Sequence, residues 1–597
     1  MGVHGLTTWI SKRSSLGQIE IHDTPATPPT PLVIDSLAFL YHTALSNSLR
    51  GGDYSHYRVL LSCYVNYWRS VGLEAIFVFD GPYEESKLAT ALHRSQQRLE
   101  RSITYFRSSE YERGKYWVQR KAERLPILLL SAVLSELRIL GTVTHFAEFE
   151  DSDYFIFSAC GKGYVPLTSF EYGPNTKTHL GIHFDVSSPS VRFTTFTPAA
   201  TARLLSIPPT YLPVFAALIG NDHSNFSDIL SLPNNRPRFP GDMDAASLER
   251  VARTLASTSS FPTETAGDLE VIIRTVIRKL AQGKTFDLEV TVATLLRSAL
   301  SYQLRPVETE SPSFPLHLNA GDSPSQAASR AAYLERFRRG KVGSVILVCL
   351  KHGLCDPPTP VDDPGLPSPS SVFGAPIRLA IYAVLNHELH LSRSEIKEHN
   401  RRQGSLVVSL IPVPALASLL PTPLPPGSIL SSSVEIRLGI YLTLLKAPSK
   451  LLNSPFSFLP HLPLLVALLH IQRLSPRPWP RFAILSAILT SVLLASSTPS
   501  GSELAPPSNP PRKESIQLSA DLVTTLFHMS VLTEALDLVE EIRPAHECFE
   551  GQLFHSLLEM GEDTGRIYES LAAEQAACVG TMLELFQTSE WRTRLSG

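Results

Sequence analysis

Acidic residues recur where apolar runs stop in the first part of this chain. Pro31-Leu32-Val33-Ile34 ends in Asp35, and Ile76-Phe77-Val78-Phe79 ends in Asp80. Glu148-Phe149-Glu150-Asp151-Ser152-Asp153 follows, and Ala217-Leu218-Ile219-Gly220-Asn221 leads to Asp222. Carboxylates gathered in one place repel one another unless divalent cations neutralise them. Hard oxygen ligands suit Mg²⁺ or Mn²⁺, and phosphodiester hydrolysis by paired ions needs about 4 Å between them. The economical reading is a site for one or two such ions acting on phosphates. A single aspartate at a strand end is more simply a polar loop residue; the ordered set is what points to a metal.

Such a site needs strands that bring the carboxylates to one edge. A buried parallel strand reads as a short continuous apolar run, and ligand sites in open α/β sheets lie beyond the strands' carboxyl ends. Residues 1 to about 235 alternate such runs with helical stretches, the pattern of a parallel α/β sheet. Asp151 and Asp153, spaced i, i+2, share one face of an extended chain. Pro208-Pro209-Thr210 can start a helix ahead of Asp222, and Gly220 can stop it.

After Asp80-Gly81-Pro82 comes a polar helical stretch on which Lys87, Arg94, Arg98 and Arg101 share one face. The region from Lys87 to Arg124 holds ten Lys or Arg against four Glu. That stripe suits a phosphate backbone, with Tyr105, Phe106, Tyr111, Tyr116 and Trp117 available to stack on single-stranded bases. A solvated basic helix whose aromatics pack inward is the competing reading.

Met1-Gly2-Val3-His4-Gly5-Leu6, Val33-Ile34-Asp35, Val78-Phe79-Asp80-Gly81, the Asp151–Phe157 segment and Ile219-Gly220-Asn221-Asp222 stand in this order from the first residue. Together they resemble the Asteroid family of the flap-endonuclease-like (XPG-type) superfamily, over about residues 1–225. The resemblance implies a PIN-like nuclease domain, two Mg²⁺ or Mn²⁺ ions and a nuclear protein acting on branched, flapped or single-stranded DNA. It assigns metal-site roles to Asp35, Asp80, Glu148, Glu150, Asp151, Asp153 and Asp222, and catalysis to that set without Glu148. It places Gly2, Lys87, Arg94, Arg98 and Arg101 on the nucleic acid. One departure stands out: the family has a helix and a strand between its glutamate segment and the DSD pair. Here Glu150 and Asp151 are adjacent, although a parallel crossover takes about a dozen residues or more. Either one βα unit is missing from the encoded chain, or the site is rearranged.

At 597 residues the chain exceeds one core, because domains usually hold about 100–150 residues. The expected organisation is a PIN-like domain over 1–235, a helical extension over 236–304, and Pro/Ser-rich segments around a helical insert over 305–375. An apolar α-rich region follows over 376–497, then a linker at 498–512 and a carboxy-terminal helical region over 513–597. The fold class is therefore α/β at the amino terminus, followed by a large α-rich region offering a surface for protein partners. Net charge is −3, so nucleic-acid binding requires a local basic patch. Six cysteines without paired spacing point to a reducing compartment, and the run Phe482–Ala495 falls short of a membrane span. A soluble intracellular protein is expected. Cys349 and Cys355 read as buried thiols rather than zinc ligands, and Arg336, Arg338, Arg339 and Lys341 as an exposed helix face or a phosphate or localisation contact. The leading function is a structure-specific, metal-dependent DNA endonuclease; the alternative is a non-catalytic PIN-like scaffold binding nucleic acid or protein.

Overall fold

The computed structural model describes residues 6, 17–25, 28–43, 48–82, 88–109, 111–113, 124–146, 163–173, 189–220, 245–258, 265–281, 286–300, 323–358, 360–391, 393–448, 451, 460–495, 511–561 and 564–586. The chain enters through β1 (Gln18–His22) and β2 (Thr30–Asp35), followed by α1 (Ser36–Thr43) and α2 (Tyr54–Ser70). Then come β3 (Leu73–Phe79), α3 (Leu88–Arg107), α4 (Leu129–Ile139) and β4 (Val143–Phe146). Strands β2, β3 and β4 form a parallel sheet in that order. In β3, Leu73, Ala75, Phe77 and Phe79 are buried while the residues between them are half-buried. This is the period-2 signature of one face packed on a core. That core is aromatic: Phe39 from α1 meets Tyr64 and Trp68 from α2 and Phe77 from β3, with ring centroids 5.5–5.7 Å apart.

Short strand β5 (Glu171–Tyr172) and β6 (Val191–Thr195) complete an antiparallel sheet of order β1-β6-β5. Beyond it, α5 (Pro198–Leu205) and α6 (Leu212–Ile219) pack with α7 (Ala245–Ala256), α8 (Ala266–Leu280) and α9 (Leu288–Leu300) around a second core. Thr265 caps α8 in a box with Asp268, so both orphan donors at that helix start are satisfied.

The first core does not stop at the parallel sheet. It continues into α10 (Pro324–Arg338), α11 (Ser344–His352), α12 (Ala375–Glu388) and the helices that follow. Phe146 of β4 lies 5.7 Å from Phe337 of α10, edge to face. Between α11 and α12 sits β7 (Leu354–Cys355), and after α12 come β8 (Glu395–Arg402) and β9 (Ser405–Pro412). This hairpin interrupts the expected α-rich 376–497 region. Its two-residue turn holds Gln403 at φ +54°, and β8 pairs β9 antiparallel from Glu395↔Pro412 to Arg402↔Ser405.

The run Asp356–Ser371, which reads as a connecting break, is also packed. Val361, Asp362 and Ser368 are buried. Arg401 of β8 gathers the segment by donating to Asp362 Oδ2 at 2.5 Å and to the carbonyls of Asp363, Pro364 and Leu366. One buried guanidinium with several acceptors thus does locally what an apolar core does elsewhere. The chain ends through α13 (Val434–Leu444), α14 (Leu462–Leu474), α15 (Arg481–Ala495), α16 (Lys513–Ala535), α17 (Gly551–Met560), α18 (Thr564–Ser570) and α19 (Ala573–Glu584). The apolar run in α15 is buried from Ala483 to Val492, except for half-buried Leu485. No single helix among the described residues is long and apolar enough to cross a membrane.

Candidate metal and nucleic-acid site

Asp35 is the last residue of β2, and its Oδ1 accepts the backbone N–H of Ala38 at 2.9 Å. It therefore satisfies one of the orphan donors at the start of α1. Among the described residues this is the only hydrogen bond its carboxylate takes. Asp35 stands opposite Val78 in the parallel register, and Asp80 follows two residues beyond that partner. Strand spacing and rise put the two Cα atoms on the order of 8 Å apart at the same sheet edge. Gly81 and Pro82 are buried behind Asp80, which anchors the chain as it leaves the strand.

Tyr164 lies outside the parallel sheet, on a bridge to Phe196 just after β6, and its hydroxyl feels the charge of Asp35. Its backbone exchanges two 2.8 Å hydrogen bonds with Phe196. Burial pushes its hydroxyl up to about 12, and the negative charge of Asp35 adds to the rise. The phenol is therefore a neutral donor near Asp35 at physiological pH. No sequence pattern pointed to Tyr164, since its position depends on a bridge to a residue 32 positions away.

The structure brings Asp35 and Asp80 together. Gly2, Lys87, Glu148, Glu150, Asp151, Asp153 and Asp222 lie outside the described residues, as do Tyr116 and Trp117. The helix expected ahead of Asp222 is present as α6, stopped by Gly220 at φ +100°. Among the described residues no group of three or more His, Cys, Asp or Glu side chains is placed to hold a metal. The donor chemistry of Asp35 and Asp80, two carboxylates without sulfur or imidazole, fits a hard divalent cation. Cys349 and Cys355 are both buried, and burial raises both thiols, Cys355 to about 11, so neither presents a thiolate.

The basic stripe lies on α3, which differs from its sequence reading in two respects. Arg101 is exposed and Arg94 half-buried, whereas Arg98 is drawn into a polar network. Arg98 Nη2 donates to Ser95 Oγ at 2.7 Å, and Ser95 Oγ donates to Asp356 Oδ2 at 3.1 Å. Half-buried Arg124 donates to the Arg98 carbonyl and, at 2.6 Å, to Ser102 Oγ. Tyr105 and Phe106, expected to stack on bases, are instead buried in a small core with Leu49, Val361 and Ile516. Those three residues come from distant segments, so the burial was invisible locally. Tyr111 remains 73% exposed. The helix is docked on the β8–β9 hairpin: Leu406 N donates to Gln96 Oε1 at 3.1 Å, and Gln96 Nε2 reaches the Gly404 carbonyl at 3.5 Å.

In the cluster at 336–341, Arg338 and Arg339 keep an exposed helix face, whereas Arg336 is buried and Lys341 half-buried. Arg336 pairs with Asp537 at 2.9 Å, Lys341 with Glu540 at 2.6 Å, and Arg339 with Glu335 at 2.7 Å. Two of these three pairs bind α10 and its following turn to the segment after α16, which gives the cluster a structural task.

No family model matches the chain, and no curated protein does. Among the solved structures similar to it are two of the catalytic core of Rad2 in complex with DNA substrate, as complex II and complex III. Each is 16% identical to this chain and covers 51% of it, and 94% and 95% of those chains, with TM-scores of 0.24 and 0.25. The functional reading rests on the residues themselves.

Proposed function

We propose that the chain is a metal-dependent endonuclease of flap-endonuclease-like type, acting on branched, flapped or single-stranded DNA. The observation that carries this reading is the placement of Asp35 and Asp80 at the carboxyl ends of adjoining parallel strands. Asp35 and Asp80, with Glu148, Glu150, Asp151, Asp153 and Asp222 of the sequence motifs, are the residues that would hold Mg²⁺ or Mn²⁺. The ions would supply an activated water and charge stabilisation at the phosphorus. Asp35 keeps its carboxylate oriented through the Ala38 N–H, and its charge is felt by the neutral hydroxyl of Tyr164. Exposed Arg101, with Arg94 and Lys87, would attract the phosphate backbone.

A second reading has its own support. Arg98, Tyr105 and Phe106 are committed to contacts inside the molecule, which suits a PIN-like scaffold that binds without cutting. Purified full-length chain is assayed on flap, bubble and single-stranded DNA with Mg²⁺ or Mn²⁺. Metal-dependent cleavage by wild type, lost in Asp35→Asn and in Asp80→Asn with unchanged thermal unfolding, is the expected result. The asparagine keeps an oxygen for the Ala38 N–H while removing the charge. No cleavage by wild type on any of the three substrates would leave the scaffold.

A further inference from the structure

Two helix starts meet where the amino-terminal core joins the carboxy-terminal helices, and neither is capped by its own residue. Asp53 is the N-cap of α2 and Glu550 the N-cap of α17, yet neither side chain bonds its own helix. Each caps the other instead. Asp53 Oδ1 accepts Gln552 N at 2.9 Å, and Glu550 Oε2 accepts Ser55 N at 2.9 Å. Between them Gly551 N donates to the Gly52 carbonyl at 2.7 Å. The approach is close enough that a Cβ on Gly551 would sit 2.3 Å from the Arg50 carbonyl oxygen. Both carboxyl groups are buried and hydrogen-bond one another.

Charge counting then fixes the proton. The cation facing the pair is buried Arg50, which also feels Glu559 and Tyr105. His56 faces Asp53 from an exposed position, Tyr54 is a buried neutral phenol, and burial keeps His555 beside Arg50 uncharged. Two ionised carboxylates in contact would carry two negative charges against one shared guanidinium. With one proton between them the pair carries a single negative charge opposite Arg50, and both helix N-termini still face carboxyl oxygens. We infer that Asp53 and Glu550 share a single proton and act as an alkaline-labile clasp between the parallel-sheet core and the carboxy-terminal helices.

The sign follows from linkage. The Glu550 carboxyl lies well above the ordinary glutamate range, through burial first and the Asp53 charge second. A group with a raised folded value holds a proton that the unfolded chain has lost. Its stabilisation is complete below the unfolded value and declines as pH rises towards the folded one. Over that window one extra bound proton weakens the folding equilibrium about tenfold per pH unit.

The test compares denaturant unfolding of the full chain between pH 5.5 and 8 for wild type and Glu550→Gln. Glutamine can donate to Asp53 and accept from Ser55 N without a titrating proton. The variant is expected to fold and to lose about tenfold per pH unit of the wild-type decline. Asp53→Asn, which can accept from Gln552 N and donate to Glu550, should lose the same slope. A wild-type slope retained in either variant overturns the inference. So does failure of both variants to fold, because a shared-proton pair tolerates an amide at either position.

Discussion

Asp35 closes a parallel strand with one oxygen on a backbone N–H, at an edge where the flanking Val33 is 59% exposed. Glu398 sits inside an antiparallel strand with both oxygens taken. Arg378 donates to it through Nε at 2.8 Å and Nη2 at 2.7 Å, Tyr382 through its hydroxyl at 2.6 Å, and Asn400 at 3.0 Å. Arg378 is equally saturated, with Ser370 and His528 as further partners. Both carboxylates belong to three-stranded sheets, but only the first keeps coordination capacity for a ligand. Satisfaction of the charge, more than its presence, separates a candidate site from a structural network.

The sharpest break between the two is a stability measurement. Arg378→Met leaves Glu398 buried without its cation and should cost about 3–5 kcal/mol in denaturant unfolding. Adding Glu398→Gln should return part of that loss, because the stranded charge is gone. Asp35→Asn should move stability by roughly 0.5 kcal/mol or less, since it keeps its hydrogen bond and lies at an edge. Equal costs for Arg378→Met and Asp35→Asn would erase the distinction.

A smaller effect sharpens it through pH. His461 of the helical core lies buried with Nδ1 2.9 Å from Ser491 Oγ. Burial, helped by Arg543, holds it down to about 4. The unfolded chain takes up a proton near 6.5 that the folded chain refuses, so its effect is absent above that range and destabilising below it. By pH 5 the loss from this histidine is about 2 kcal/mol. Buried Asp521 and half-buried Glu534, both raised by desolvation to about 7, pull the opposite way over the same interval. The comparison of His461→Asn with wild type isolates the one group: the variant should show a flatter acid limb. An unchanged limb would mean that the ring is already protonated when folded.

The parallel strands were legible because burial leaves Leu32-Val33-Ile34 and Ile76-Phe77-Val78-Phe79 as runs that local reading detects. So was α6, where Pro209 opens the single 3-10 turn that leads into the helix and Gly220 stops it, both by local backbone chemistry. Strand β8 was not. Glu395-Ile396-Lys397-Glu398-His399-Asn400-Arg401-Arg402 has one apolar residue, and its buried Glu398 and Arg401 depend on Arg378 and Asp362, 20 and 39 positions away. Tyr105 and Phe106 failed for the same reason in reverse, because the residues that bury them come from other segments. At the candidate site, Asp35 and Asp80 were readable from strand ends, whereas Tyr164 depended on its bridge to Phe196.

The same rule of satisfaction divides the basic helix, where the expected effects are smallest. Arg101 is exposed and Arg98 is tied through Ser95 to Asp356 of the packed proline-rich segment. Burial raises the Asp356 carboxyl, and both His399 and Arg98 oppose that rise. Arg98 therefore helps to hold the helix against the β7–β9 sheet. If Arg101 meets a phosphate, Arg101→Ala removes one counterion-releasing contact. The slope of log affinity for single-stranded DNA against log salt should then fall by about 0.7, with unfolding unchanged within roughly 0.5 kcal/mol. Arg98→Ala should do the reverse: little change in salt slope, and a loss of about 1 kcal/mol as half-buried Asp356 keeps less compensation. Fluorescence anisotropy across a salt series and denaturant unfolding decide between them. A slope change in Arg98→Ala larger than in Arg101→Ala would place the phosphate on the half-buried side of the helix, and the hairpin would have to move aside for DNA to reach it.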